Sequence, residues 1–232
     1  AAPAAWADGP ATFVGGEACA SCHATEAGAW KGSHHDLAMQ HATAATVLGD
    51  FKDVRFEKDG VTTRFFRRGD AFVVSTDGPD GQMHDYTVAF TFGVDPLQQY
   101  LVDIGKGRLQ ALPIAWDSRP KEAGGQRWFH LYPNEKLAAG DPLHWTGIQQ
   151  NWNFMCADCH STGLKRNYDE KTDSFATTWS EVNVSCEACH GPGSRHLAWA
   201  KAGAPAGDDG LPIRLDERRG ITWELDAATG NS

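Results

Sequence analysis

No stretch of this 232-residue chain comes near the ~20 consecutive apolar residues that a membrane-spanning helix needs, so the sequence predicts a protein that does not span a membrane. Basic residues are scarce, 21 against 30 acidic ones, for a formal charge of −9. That balance argues against nucleic acid as a partner and favours proteins with a basic docking face. The opening "AAPAAWADGP" has neither the charged nor the apolar region of an export leader and reads as the start of a processed chain. Low-complexity tracts are absent. Cysteine is absent too, except in three short places that hold all six.

Those places are the pentads "CASCH" (19–23), "CADCH" (156–160) and "CEACH" (186–190). A C-x-x-C spacing serves a redox dithiol, a zinc site or covalent haem attachment. In each use the two sulfurs share one face of a helical turn. The next residue discriminates, and here it is His23, His160 and His190. With histidine at 10 of 232 positions, threefold agreement by chance is below about one in ten thousand, whereas haem attachment requires it. A four-cysteine zinc site from Cys156, Cys159, Cys186 and Cys189 would strand Cys19 and Cys22 and leave the histidines unexplained. No βαβ pattern surrounds a pentad, which removes a thioredoxin-like dithiol. The sequence therefore predicts three covalently attached haem c groups. Cys19, Cys22, Cys156, Cys159, Cys186 and Cys189 form the thioethers, and His23, His160 and His190 are the proximal iron ligands. Such attachment takes place outside the cytoplasm, so the expected location is periplasmic or extracellular. Hydrophobic residues make up only 41%, and three porphyrins would supply core that the side chains lack. Trp30, Trp145, Trp152, Trp179 and Trp199 lie near pentads, as packing for haem faces or as ordinary core aromatics.

The expected fold class is α+β, short haem-binding helices and loops with an inserted antiparallel β meander. Residues 1–14 read as a loose arm and 15–50 as the first haem segment, helical from Gly16 to about His41 with a break at Gly32-Ser33. Residues 51–130 form a β-rich insert, with about five strands over 51–117. Tyr86, Val88, Phe90 and Phe92 alternate with Thr87, Ala89 and Thr91, the period of a half-buried strand. Residues 131–204 hold the second and third haem sites, and 205–232 an extended tail.

Function turns on the second axial ligands. An iron closed by two protein ligands carries electrons; an open one can transform a small molecule. Seven histidines remain: His34, His35, His41, His84, His130, His144 and His196. His196 lies six residues beyond His190, at most about 20 Å of extended chain, and would have to pass the porphyrin rim to reach its own iron. His35 lies twelve residues beyond His23, about 18 Å along a continuous helix. Each is therefore expected on a haem other than its neighbour's. His41 and His84 read as surface residues.

"WKGSHHDLAM" after the first pentad and "CEACHGPGSRH" at the third resemble the cytochrome c-554 family of multihaem cytochromes. The resemblance rests on a tryptophan followed by H-x-x-x-M, and on a C-x-x-C-H-G-P-G turn followed by a histidine. It implies that His35, four before Met39, and His196 take distal roles. "TFGVDPLQQYLV" and "QNWNFMCADCHSTGL" resemble larger multihaem proteins that carry this module ahead of further haem sites and tetratricopeptide repeats. This chain then reads as a shortened relative or a fragment. The resemblance also implies that the haem at the second motif, here on His160, can keep an open site. Its expected sixth ligand is His144, with His130 as runner-up. His34 would meet a propionate or close that gap, and Met39 is a weaker alternative. Arg119, Arg127, Lys165, Arg166 and Arg195 read as propionate partners or as solvated surface charge.

The leading expectation is a trihaem c-type cytochrome that transfers electrons through closely spaced, mostly bis-histidine haems, and is not itself an enzyme. Two alternatives stand beside it. One is a haem reductase or oxidase using an open iron on His160; the other is a subunit of a larger redox complex that docks through the β insert.

Overall fold

The computed structural model describes residues 9–213 and 215. The outermost parts of the expected arm (1–8) and tail (214 and 216–232) lie outside the described residues. The chain divides into two compact units, Gly15–Ser185 on one side and Ala1–Val14 with Cys186–Ser232 on the other.

In the larger unit, α1 (Gly16–Ala20) and α2 (Ala24–Trp30) carry the first pentad at their junction. The helix expected to reach His41 stops at Trp30. Gly32 adopts a left-handed φ of 75°, and residues 31–38 form turns. Met39–His41 is then a strand, β1, instead of a helix end. β2 (Val54–Lys58), β3 (Val61–Arg68), β4 (Ala71–Asp77), β5 (Met83–Phe92), β6 (Leu97–Asp103), β7 (Leu109–Ala111), β8 (Ile114–Asp117) and β9 (Arg127–His130) follow. They form one antiparallel sheet in the order β2-β3-β4-β5-β6-β8-β9, with β1 added to β5 and β7 to β6. The expected meander is thus present but larger, nine strands where the sequence suggested about five. Pro113 divides the expected "RLQALPIAW" strand into β7 and β8, because proline cannot donate to the ladder.

The sheet curls over an aromatic interior. Phe65 of β3 stacks on Trp128 of β9 at 3.7 Å, and Phe51 meets both, together with Phe72 and Tyr100. Tyr100 is fully buried, and its hydroxyl donates to Gln98 Oε1 (2.8 Å) while accepting from the Gly49 N–H (2.9 Å).

A second cluster lies on the other side: Met39, Phe90, Phe92, Leu101, Leu109, Ala111, Trp152 and Ala157. β6 alternates between the two, with Tyr100 and Val102 in the first and Leu101 in the second. β5 does not alternate simply. Val88 packs in the first cluster, but Phe90 and Phe92, of the same parity, pack in the second. The register with β6 shifts between Val88 and Phe90, and such a bulge turns the following side chains to the other face. The one extra residue, Ala89, re-aims the end of β5 at the second pentad.

That pentad follows α3 (Trp152–Met155) and ends in α4 (Ala157–His160). Asn151 caps α3 by accepting the Phe154 N–H at 3.1 Å. A hairpin of β10 (Tyr168–Asp169) and β11 (Ser174–Phe175) completes the unit. In the smaller unit, α5 (Cys186–His190) is the third pentad, and α6 (Ser194–Lys201) carries His196. The described part of the expected loose arm is tied down there. Thr12 N–H donates to Ser194 Oγ at 2.8 Å, the Ser194 N–H to the Thr12 carbonyl at 3.1 Å, and Arg195 to the Gly9 carbonyl.

Candidate haem-attachment site

Each pentad occupies a single turn of helix. Cys22 N–H and His23 N–H both bond to the Cys19 carbonyl (3.1 and 3.0 Å), and Cys159 N–H bonds to the Cys156 carbonyl (3.1 Å). The turn sets both sulfurs of a pair on one face. No disulfide joins any of the six cysteines, and the first of each pair is half-buried while the second is exposed. Burial, then the neighbouring Cys159, pushes the Cys156 thiol up. Among the described residues, no three His, Cys, Asp or Glu side chains gather as a metal cluster.

The second pentad shows how its histidine is prepared. His160 Nδ1 lies 3.2 Å from the Ala38 carbonyl, and Phe92 meets the imidazole edge-on at 5.5 Å. A carbonyl can only accept, so Nδ1 carries the proton and Nε2 presents its lone pair. That is the tautomer a metal-binding histidine needs, with ring orientation fixed by the second bond. Around this pentad, large apolar side chains are left in solvent: Ile148, Phe154 and Met155 are 56, 55 and 49% exposed. A buried polar atom there, Trp152 Nε1, lacks a partner among the described residues, as does Ser185 Oγ just before the third pentad. Apolar surface to cover, unpaired polar atoms and an imidazole of the right tautomer fit a covalently held porphyrin.

Residues that the sequence did not single out hold this arrangement. Asn153 is buried; its Oδ1 accepts the Leu109 N–H (2.8 Å) and its Nδ2 donates to the Gly107 carbonyl (3.1 Å) and Thr177 Oγ1 (2.8 Å). It fastens α3 to β7. Glu187, inside the third pentad, is only 3% exposed. Its carboxylate accepts the Val14 N–H at 2.9 and 3.0 Å and the Gly193 N–H at 2.7 Å, which pins the Gly-Pro-Gly turn. Gly191 of that turn has φ 75°, and a Cβ there would lie 2.6 Å from Pro212 Cγ. Only glycine fits.

The expected distal ligands are placed unequally. His34 and His35 are exposed, in the turns before β1. The His35 carbonyl accepts the Val184 N–H (3.2 Å), and Trp30 Nε1 donates to the Val184 carbonyl (2.9 Å). His196 Nδ1 donates to the Asp209 carbonyl (2.9 Å), and its ring stacks on Trp199. Met39 is fully buried in the second cluster, its side chain engaged in packing. His130 Nδ1 accepts the Tyr132 N–H at 2.9 Å, so its proton sits on Nε2.

His144 does not sit where the sequence expected it. It is 2% exposed, with Nε2 3.0 Å from Asp77 Oδ2 and Nδ1 2.8 Å from Thr146 Oγ1. Asp77 pairs with Met83 at one end of β5, whereas Phe92, against His160, is at the other. Nine residue steps of strand amount to roughly 30 Å. Two nitrogens on one iron sit on the order of 4 Å apart, from metal–imidazole bonds of about 2 Å each. His144 and His160 therefore cannot share an iron in this fold. Trp145 and Trp152 are core residues. Among the suggested propionate partners, Arg119 pairs with Asp117 (2.6 Å) and Arg166 with Asp158.

Three pentads, each ending in histidine, on a scaffold that orients the imidazole at the second, match the attachment pattern of c-type cytochromes with more than one haem. In sequence the chain is similar to such multihaem cytochromes. The family model described as cytochrome c554 and c-prime matches residues 18–59 and 130–191, which hold all three pentads whole and leave out β3 to β8. No curated protein sequence matches. In fold the chain is similar to the outer cell wall cytochrome OcwA, with a TM-score of 0.51 and 19% identity over 88% of this chain and 35% of that one. An undecahaem cytochrome from the S-layer of Carboxydothermus ferrireducens aligns with a TM-score of 0.47 and 19% identity, over 82% of this chain and 22% of that one. This chain thus spans about a third of OcwA's length. Among the described residues no helix is long and apolar enough to cross a membrane.

Proposed function

We propose that the chain is a trihaem electron carrier acting outside the cytoplasm, with haem c at Cys19/Cys22, Cys156/Cys159 and Cys186/Cys189. The observation that carries this reading is the repeated one-turn pentad, with the His160 imidazole turned by the Ala38 carbonyl to present Nε2. The haems supply the redox chemistry. The chain fixes where they attach, which nitrogen faces each iron and how much water reaches them, and through these the potentials. His35 and His196 act as distal ligands, each for a haem other than its neighbour's. The formal charge of −9 favours redox partners with a basic face.

One observation favours a second reading for the haem on His160. His144 is held by Asp77 at the far end of β5, so that iron lacks its expected sixth ligand. With an open position, this haem would make the chain a reductase or oxidase fed by the other two. Electron paramagnetic resonance of the oxidised protein, with carbon monoxide added after reduction, separates the readings. Three low-spin haems that ignore carbon monoxide mean a carrier. One high-spin haem that binds carbon monoxide means an open iron. A haem count other than three overturns both.

A further inference from the structure

The larger unit contains a cavity that the haem chemistry does not use. It has a volume of about 330 Å³ and opens where β2, β3, β4, β8 and β9 meet the loop of residues 132–150. That is the lower end of the size range of small-molecule sites, room for one or two rings. Its apolar walls include Val61, Ile114, Leu137, Leu143 and Trp145.

Polar side chains make up about half of the lining, and the roles of several are fixed by their partners. His130 Nδ1 accepts the Tyr132 N–H, and burial, with Lys58 nearby, holds its pKa below the ordinary histidine value. The neutral ring therefore carries its proton on Nε2 as a donor. Gln150 Nε2 donates to the Tyr132 hydroxyl at 3.2 Å, which leaves the hydroxyl proton to donate. Asp77 supplies an acceptor, already steadied by His144. Of the two lysines in the lining, Lys58 bonds to Asp59 and to the Glu135 carbonyl, and both stand among three carboxylates, Asp59, Asp77 and Glu135. That balance disfavours an anion, and no cluster of metal ligands forms among the described residues. A fatty chain would leave the donors unpaired, at a cost.

The geometry points to a binding site for a small, uncharged, hydroxylated aromatic molecule, its ring against Ile114, Leu143 and Trp145 and its oxygen accepting from His130 and Tyr132. A phenolic hydroxyl both accepts and donates, and so matches two donors and a carboxylate in the same lining. The site does not depend on the three attachment pentads, because its residues lie on the sheet and the 132–150 loop.

The test is equilibrium dialysis of the full haem-loaded chain against 2-naphthol, with naphthalene as the probe that lacks the oxygen. One equivalent of 2-naphthol should bind saturably, at least tenfold more tightly than naphthalene. Leu143→Arg, at a side chain 48% exposed, should block both probes. His130→Phe should weaken 2-naphthol at least tenfold and leave naphthalene within about threefold. The visible haem spectrum shows that each variant has folded and reports on the haem assignment separately. Absence of saturable binding, equal binding of the two probes, or binding untouched by Leu143→Arg would overturn the proposal.

Discussion

Replacing Glu187 by alanine tests whether the third pentad is built around its buried carboxylate. The side chain is 3% exposed and serves two backbone donors, Val14 N–H through both oxygens and Gly193 N–H at 2.7 Å. A hydrogen bond to a charged group contributes about 1.5–3 kcal/mol net, and a buried donor left unpaired costs about 1–3 kcal/mol. Relief of the carboxylate's own desolvation offsets part of this. A loss of about 3 kcal/mol is expected, which for a chain of this size lowers Tm by about 6–12 °C. Glu187→Gln keeps one accepting oxygen but sets an amide N–H against a donor, so about half the loss should return. Gly193 is the N-cap of α6, the helix that carries His196. With His196 as the proposed distal ligand, the low-spin resonance of its haem should therefore broaden in the alanine variant before the protein melts. The measurements are thermal melts followed in the haem band and paramagnetic resonance at low temperature. A loss under about 1 kcal/mol, or a glutamine variant as weak as the alanine one, would refute the reasoning.

Asn153→Ala removes the acceptor for Leu109 N–H and the donor to Gly107 and Thr177; a denaturant melt should show a loss of about 2–4 kcal/mol. His144→Gln should leave the haem spin states unchanged, whereas His35→Ala and His196→Ala should each convert one low-spin haem to a carbon monoxide-binding one. Burial holds His130 below the ordinary histidine pKa, with Lys58 adding to the effect, so the unfolded chain binds the extra proton first. Stability should then fall as pH drops below about 6.5, and a pH series of melts on His130→Phe should show a shallower fall. Replacing Cys156 and Cys159 together by alanine should reduce the haem count from three to two in alkaline pyridine spectra; an unchanged count would disprove attachment there.

The pentads and the long strands were legible in the sequence because both are local. Three histidines after three cysteine pairs, and the alternation of Tyr86, Val88 and Phe90, need no knowledge of distant contacts. β1 was not legible, since "MQH" is a strand only because it pairs with residues 90–92. The break expected at Gly32-Ser33 is present, but no helix resumes beyond it, because a turn there serves the hydrogen bonds from Val184 and Asn183 back to His35 and Asp36. Asp77 and His144 are 67 positions apart, and no periodicity signals that pairing. The carbonyl that orients His160 belongs to Ala38, a residue with no functional side chain to notice.

The bulge at Ala89 has a consequence for taking the protein apart. Residues 51–130 look like an insertion that could be cut out and the ends rejoined, leaving a smaller cytochrome. Because the shifted register sends Phe90 and Phe92 to the pentad side, excision would remove the aromatic packing against the second pentad. A sheet transplanted to another protein would in turn carry two bare aromatic rings into water. The two parts are contiguous modules on paper and one inheritance in practice, joined by a single backbone residue.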